Sequence, residues 1–324
     1  MSNSINGSAK NIPTFINVGP GRCATSWLHE ILQAHPEVAT ASVKETEYFN
    51  SNFHQGDAWY LKHFEEANDP AKIASGEISN CYYTEPAVAQ RAKEFNPQMR
   101  IIFNLRDPYT LMQSFHGFGI RRGIELGPLE SSLDVHIGRL MGSGYNFRER
   151  RKTLNHGDQV SLLESVLLSK HILPFLEAFP PEQIYFFVYE RLRTERDTVL
   201  REIYDFIQVD SSFVPPASEQ VVNAAITPKS KRVAKLATSV SYLLRRAGAY
   251  GLLSRLHQSR LIKKIFYSDN AAASTTKVNP REILDKETCI LLDEEIENMI
   301  NIYPPLKQWW TSTTYSDTQQ TVEA

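Results

Sequence analysis

FINVGPGRCATSWL, residues 15–28, is the stretch on which the fold turns. It runs from an apolar, strand-like segment into a tight glycine-proline turn bearing Arg22. A helix pattern follows, opening on Thr25 and Ser26. A helix N-terminus presents unpaired backbone N–H groups and a partial positive charge, so such a turn suits an anion. A guanidinium forks onto phosphate oxygens, and hydroxyls complete the shell. A second stretch of the same build lies downstream: IIFNLRDPYTLMQS, residues 101–114, where Arg106 ends a strand and Ser114 lies two turns along the next helix. Two such places on one sheet suit a ligand with phosphate at two ends. The plainer alternatives are a helix merely capped by Thr25 or Ser26, and an Arg106 that pairs with Asp107.

Outward from these stretches, apolar strand-like runs alternate with helix-like ones, the pattern of a parallel α/β sheet. The expected strands are 14–19, 72–77, 99–105 and 184–189. The expected helices are 24–35, 86–95, 108–120, 159–178, 194–207 and 280–303. Pro86 and Pro108 suit first helical turns, and Pro36 suits a helix end. Residues 121–157 read as an irregular excursion, 229–264 as one or two basic amphipathic helices, and 268–279 as a polar linker.

The first turn departs from the nucleotide loop GxxxxGK[ST]. Counted from Gly19, Ala24 and Thr25 stand where that loop has Gly and Lys. An ordinary loop of that type, and with it a nucleotide kinase or NTPase, is disfavoured.

Composition bounds the partners. The 324 residues carry 35 basic and 37 acidic side chains, a formal −2, which gives no global case for nucleic acid. Residues 229–264 hold ten Lys/Arg and no Asp/Glu, while the remainder carries 25 basic against 37 acidic residues, a formal −12. Peripheral contact with an acidic membrane surface is one reading of that segment. The three cysteines are expected in a reducing compartment and show no metal-ligand spacing. The start, MSNSINGSAKNIP, lacks the apolar core of a signal peptide, and no run of about 18 apolar residues occurs. The expectation is a cytoplasmic protein without a membrane span and without a metal.

FINVGPGRCATSWLHEILQAHPEV resembles the 5′-phosphosulfate loop of sulfotransferases that use 3′-phosphoadenosine 5′-phosphosulfate (PAPS), in the style of bacterial and heparan-sulfate-type members. The resemblance implies that Gly21, Arg22, Cys23, Ala24, Thr25, Ser26 and Trp27 line the donor, with Arg22 on the bridging oxygen. LRDPYTLMQS resembles the 3′-phosphate segment, in which Arg is followed eight residues later by Ser, here Arg106 and Ser114. VKETEYFN, residues 43–50, is similar to the segment whose Glu is the general base; this selects Glu45, with Lys44 beside it. A carboxylate of reference pKa about 4.3 is ionised at neutral pH unless burial raises it. Glu47, two residues along, is the rival, and it is expected to point elsewhere. A solvated KETE loop is the bland alternative.

Three further stretches carry the resemblance. HQGDAWYLKHF, residues 54–64, resembles the border of the acceptor pocket, with His54 and His63 as secondary bases or contacts. Trp59 and Tyr60 read as core. GEISNCYY, residues 76–83, matches a strand motif at Glu77 and Ser79, but has Ile78 where heparan-type members carry Lys and Asn80 where Pro is common. That departure weakens a heparan-like acceptor. NAAITPKSKRVAKL, residues 223–236, resembles a late segment that closes over the nucleotide, making Lys229, Lys231 and Arg232 candidates for the 3′-phosphate.

The implied fold is a P-loop-like three-layer α/β sandwich with a central parallel sheet and a helical C-terminal extension. It is expected as one domain over 1–324: a loose N-terminus 1–12, an α/β core 14–210 and a helical portion 211–314. The implied chemistry is in-line sulfuryl transfer to a small-molecule acceptor, a metabolite or natural product of secondary metabolism. A carbohydrate or lipid acceptor is the alternative.

Overall fold

The computed structural model describes residues 12–121, 124, 126–137, 159–216, 227–228, 267–268 and 279–310. Its contacts divide the chain into two compact units, Met1–Leu105 with Ile172–Gln220, and Arg106–His171 with Val221–Ala324.

The first unit is built on β1 (Phe15–Gly19), β2 (Val38–Thr40), β3 (Ala74–Ile78), β4 (Arg100–Leu105) and β5 (Ile184–Val188). They form a parallel sheet in the order β2-β3-β1-β4-β5. All five residues of β1 are buried, as a parallel strand covered on both faces requires. Four of the strands lie within two residues of their sequence expectation. β2 was not anticipated, because three residues, VAT, are too few to show a period. The order reverses at β1, which is flanked by β3 and β4, so the crevice at the carboxyl end of β1 is the topological switch point.

Helices cover both faces. Asn104 is in register with Phe187, so these two share a face, while Phe103 points to the other. Phe187 stacks on Trp27 of α1 (Thr25–Ala34) at 6.0 Å, and Phe103 meets Phe175 of the helix Leu168–Ala178 at 5.8 Å. One helix therefore lies on each side of β4 and β5, giving three layers. α1 buries Trp27, Leu28, Ile31 and Leu32, the spacing of one helical face. The helix Arg196–Ile207 lies beside it, where Tyr204 donates to the Ile31 carbonyl at 3.0 Å.

In the second unit, a helix covers Pro108–Arg121. Asp107 caps it by accepting from Thr110 N at 2.9 Å. Two expected helices are shorter or broken. The one expected over 159–178 begins at Leu168, because Val160 and Leu162 run alongside Val135–Ile137 through backbone bonds of 2.7 and 2.9 Å. Leu167, at φ −81° and ψ 70°, then leaves the helical region. The one expected over 280–303 splits into Pro280–Ile283 and Lys286–Ile302. Leu284 turns extended, and Asp285 caps the second piece by accepting from Thr288 N at 2.8 Å. The basic stretch 229–264 lies outside the described residues.

Candidate functional site

The turn after β1 has an unusual backbone. Arg22 (φ 67°) and Ala24 (φ 59°) are left-handed on either side of Cys23. Ala24 is the N-cap of α1 and makes no side-chain cap bond, so neither Thr25 nor Ser26 is spent as the cap. The loop is anchored from beneath by two buried amides. Asn104 Nδ2 donates to the Cys23 carbonyl at 2.7 Å, and Asn17 Nδ2 donates to Asn104 Oδ1 and, at 3.0 Å, to the Ile102 carbonyl. Arg22 and Ser26 are half-buried, whereas Cys23 and Thr25 are buried. Trp27 is 5% exposed, with its ring packed on Phe187.

The segment VKETEYFN returns to this turn. Lys44 Nζ donates to Ser26 Oγ at 3.0 Å. Burial pushes the Lys44 ammonium below the ordinary lysine range, against the opposing pull of Glu45 and Glu30. His29, one turn along α1, is pushed down to about 4 by burial and then by Lys44, so it is neutral at physiological pH. The segment is not extended: Glu45 (φ 61°) and Glu47 (φ 49°) are both left-handed, each at a cost of about 1–2 kcal/mol for a non-glycine residue. Glu45 is half-buried and Glu47 is 2% exposed. Solvation of KETE does not describe this loop.

Glu77, at the end of β3, holds the loop in this conformation. Its Oε2 accepts from Thr46 N (3.2 Å), Thr46 Oγ1 (2.6 Å) and Ser79 Oγ (2.8 Å). Its Oε1 accepts from Tyr60 OH (2.8 Å) and Tyr82 OH (2.7 Å). Burial raises the Glu77 carboxyl, and these donors pull it back down. Ser79 Oγ accepts from Glu47 N at 3.2 Å, and Tyr82 OH accepts from Phe49 N at 3.2 Å. Glu45 N donates to the Ile78 carbonyl at 3.1 Å, and Asn80 Nδ2 donates to Glu45 Oε1. Asn80 in turn rests against the first turn: a side chain at Gly19 (φ 92°) would collide with its carbonyl. The sequence motif marked Glu77 and Ser79 but not this network, and it read Asn80 only as a departure.

Elsewhere in the first unit, His54 is exposed on the turn Phe53–Gln55 and its ring contacts Gln55 at 3.2 Å. His63 bonds Ser42 Oγ at 3.1 Å and is held below its ordinary value by burial. Tyr60 is core, as expected, while Trp59 is half-buried and meets His63 edge-on.

In the second unit, Arg106 Nε donates to Thr110 Oγ1 at 3.2 Å, and Ser114 is one turn beyond Thr110 on the same helix face. Thr110 is thus an unforeseen member of the Arg106–Ser114 row. Asp107 is raised by burial, and Thr110, Arg106 and Arg281 draw it back down. Lys229, Lys231 and Arg232 lie outside the described residues. Among the described residues, no group of three His, Cys, Asp or Glu could hold a metal, no helix is long and apolar enough to cross a membrane, and the three cysteines are unbridged.

The model of the sulfotransferase domain family matches residues 13–241. The chain is similar to the membrane-associated sulfotransferase kil1 of Dictyostelium discoideum, 34% identical over 134 residues, 40% of this chain and 28% of that protein. It is 26% identical over 216 residues to the bifunctional heparan sulfate N-deacetylase/N-sulfotransferase 1 of Caenorhabditis briggsae, 64% of this chain and 24% of the relative. The match therefore spans about a quarter of the length of these relatives. Among solved structures, a sulfotransferase from Alicyclobacillus acidocaldarius superposes with TM-score 0.51 at 21% identity, covering 78% of this chain and 98% of the other. That likeness extends to the fold, the P-loop-like parallel α/β sandwich expected from the sequence.

Proposed function

The chain belongs to the sulfotransferase domain family, and from that premise we propose that it moves a sulfuryl group from PAPS to a hydroxyl or amine of a small-molecule acceptor. The reading is carried by the tie between the Lys44–Glu45 loop and the first phosphate turn, through Lys44 and Ser26. That tie keeps a carboxylate and a cation beside the place where an anion would sit.

In this reading the N-terminal amides of α1, Arg22, Thr25 and Ser26 hold the 5′-phosphosulfate. Arg22 stabilises charge gathering on the bridging oxygen as the S–O bond breaks and its electron pair stays with the departing phosphate. The acceptor oxygen or nitrogen forms the new bond to sulfur in line, and Glu45 takes the proton. Positioned base catalysis of this kind contributes on the order of 10²–10⁴ in rate. Lys44 faces the transferring group as a second cation. Arg106, Thr110 and Ser114 take the 3′-phosphate, joined by Lys229, Lys231 and Arg232 from the late basic segment. The donor set is made of cations, hydroxyls and amides and asks for no metal. His54, exposed and bonded to Gln55, is assigned to acceptor contact rather than proton transfer.

A metabolite acceptor and a cytoplasmic location go with this reading. A carbohydrate acceptor is the second reading, favoured by the heparan sulfate enzyme among the relatives. Transfer of labelled sulfuryl from PAPS to a panel of phenols, alcohols, amines and amino sugars separates the two. Thermal shift tests the donor itself. Adenosine 3′,5′-bisphosphate is expected to stabilise the protein more than AMP or ATP. A shift no larger than that of AMP removes the two-phosphate reading, and one largest with Mg-ATP turns it toward a nucleotide kinase.

A further inference from the structure

We propose that Asn80 is the residue that positions the Glu45 carboxylate against the first phosphate turn. This rests on Glu45 being the proton acceptor.

Glu45 is held in two separate ways. Its backbone, at φ 61°, is fixed by the bond from its N–H to the Ile78 carbonyl at 3.1 Å. Its carboxylate is held by Asn80 Nδ2, which donates to Oε1. Backbone restraint alone leaves the side chain several rotamers. A hydrogen bond to a charged acceptor selects among them by about 10- to 100-fold. Asn80 is itself registered to the nucleotide turn, because its carbonyl occupies the space where a Gly19 side chain would be. Gly19 opens the turn, Asn80 lies on Gly19, and Asn80 holds Glu45. Asn80 thereby ties the carboxylate to the turn.

The rest of Asn80 argues against a purely structural role. The residue is 9% exposed, and its Oδ1 is buried with no donor among the described residues. An unpaired buried acceptor disfavours the folded state. A side chain chosen for stability alone would be apolar here. Asn80 instead carries an orphaned oxygen while spending its amide on Glu45. Local disadvantages of this sort concentrate where function requires the group.

The test uses the full chain and the best acceptor from the panel above. Asn80→Ala and Asn80→Leu are compared with wild type for kcat, for thermal midpoint, and for affinity toward adenosine 3′,5′-bisphosphate by calorimetry. Both variants are expected to lower kcat by about 10- to 100-fold. The thermal midpoint should stay level or rise, and bisphosphate affinity should remain within about threefold. In a Glu45→Gln background, which lacks the carboxylate, the same changes should alter kcat by less than about threefold. Undiminished kcat in the single variants overturns the proposal. So does an equal loss in the Glu45→Gln background, or a loss that tracks a falling thermal midpoint. If Glu45→Gln is inactive while Asn80→Ala is silent, the base assignment stands and the positioning role fails. If Glu45→Gln turns over normally, both fall.

Discussion

Lys44 Nζ donates to Ser26 Oγ across 3.0 Å, joining the loop of the carboxylates to the first turn of α1. Burial holds this ammonium below the ordinary lysine value of 10.5. The protonated form is the one that stabilises an anion, and it is lost as pH rises through the lowered pKa. Turnover is therefore expected to fall on the alkaline side below pH 10.5, with Glu45, Glu30 and His29 as the neighbouring titratable groups. In Lys44→Arg that limb should disappear, and in Lys44→Met turnover should drop by about 10- to 100-fold at neutral pH. A pH–rate profile of the three proteins decides it; an unmoved limb in Lys44→Arg removes Lys44 from the chemistry.

Arg106 and Arg22 should fail differently. Arg106→Ala is expected to weaken adenosine 3′,5′-bisphosphate by about 10- to 100-fold while leaving AMP unchanged, since only the 3′-phosphate is lost to it. Arg22→Ala should weaken both. Calorimetry with the two nucleotides reads the difference, and equal losses for AMP and the bisphosphate in Arg106→Ala would contradict the assignment.

Glu77 is expected to behave as a structural hub. It is 2% exposed and receives Thr46, Ser79, Tyr60 and Tyr82. Glu77→Leu strands four hydroxyls in the core and should cost about 3–5 kcal/mol, with Glu77→Gln costing less because one oxygen survives. Urea denaturation measures both. A cost below about 1 kcal/mol in Glu77→Leu would show that the network rearranges freely.

Glu295 supplies a pH signature in the second unit. It is 3% exposed, accepts from Ser169 N at 2.8 Å and Ser169 Oγ at 2.5 Å, and burial raises it from 4.5 to about 7. The folded form keeps its proton where the unfolded form has lost it. Its contribution is therefore complete below pH 4.5 and is lost as pH rises through about 7. Between those values the loss is on the order of 3 kcal/mol. Glu295→Gln should flatten that part of the thermal midpoint against pH, and an unchanged slope would contradict the raised value.

The strands, the two Arg-bearing turns and the general architecture were legible in the sequence because each is a local pattern. Apolar runs, Pro108 at a helix start and Arg106 eight residues before Ser114 all lie within one or two elements. β2 escaped for want of length, and the helix expected over 159–178 lost its first half to backbone pairing with Val135–Ile137. The rule of alternating sides did not apply to Glu45 and Glu47, because both residues are left-handed and the segment is not a strand.

By itself the sequence determined the strands and the two Arg-bearing turns between strand and helix, and it did so by spacing along the chain. Only the tertiary structure decided how Glu45 and its loop are held. Glu77 reaches Thr46 across 31 positions, Asn80 reaches Glu45 across 35, and Asn104 reaches the Cys23 carbonyl across 81. Contacts of that separation depend on which strands lie side by side. No local periodicity encodes that order; it follows from burying both faces of one parallel sheet.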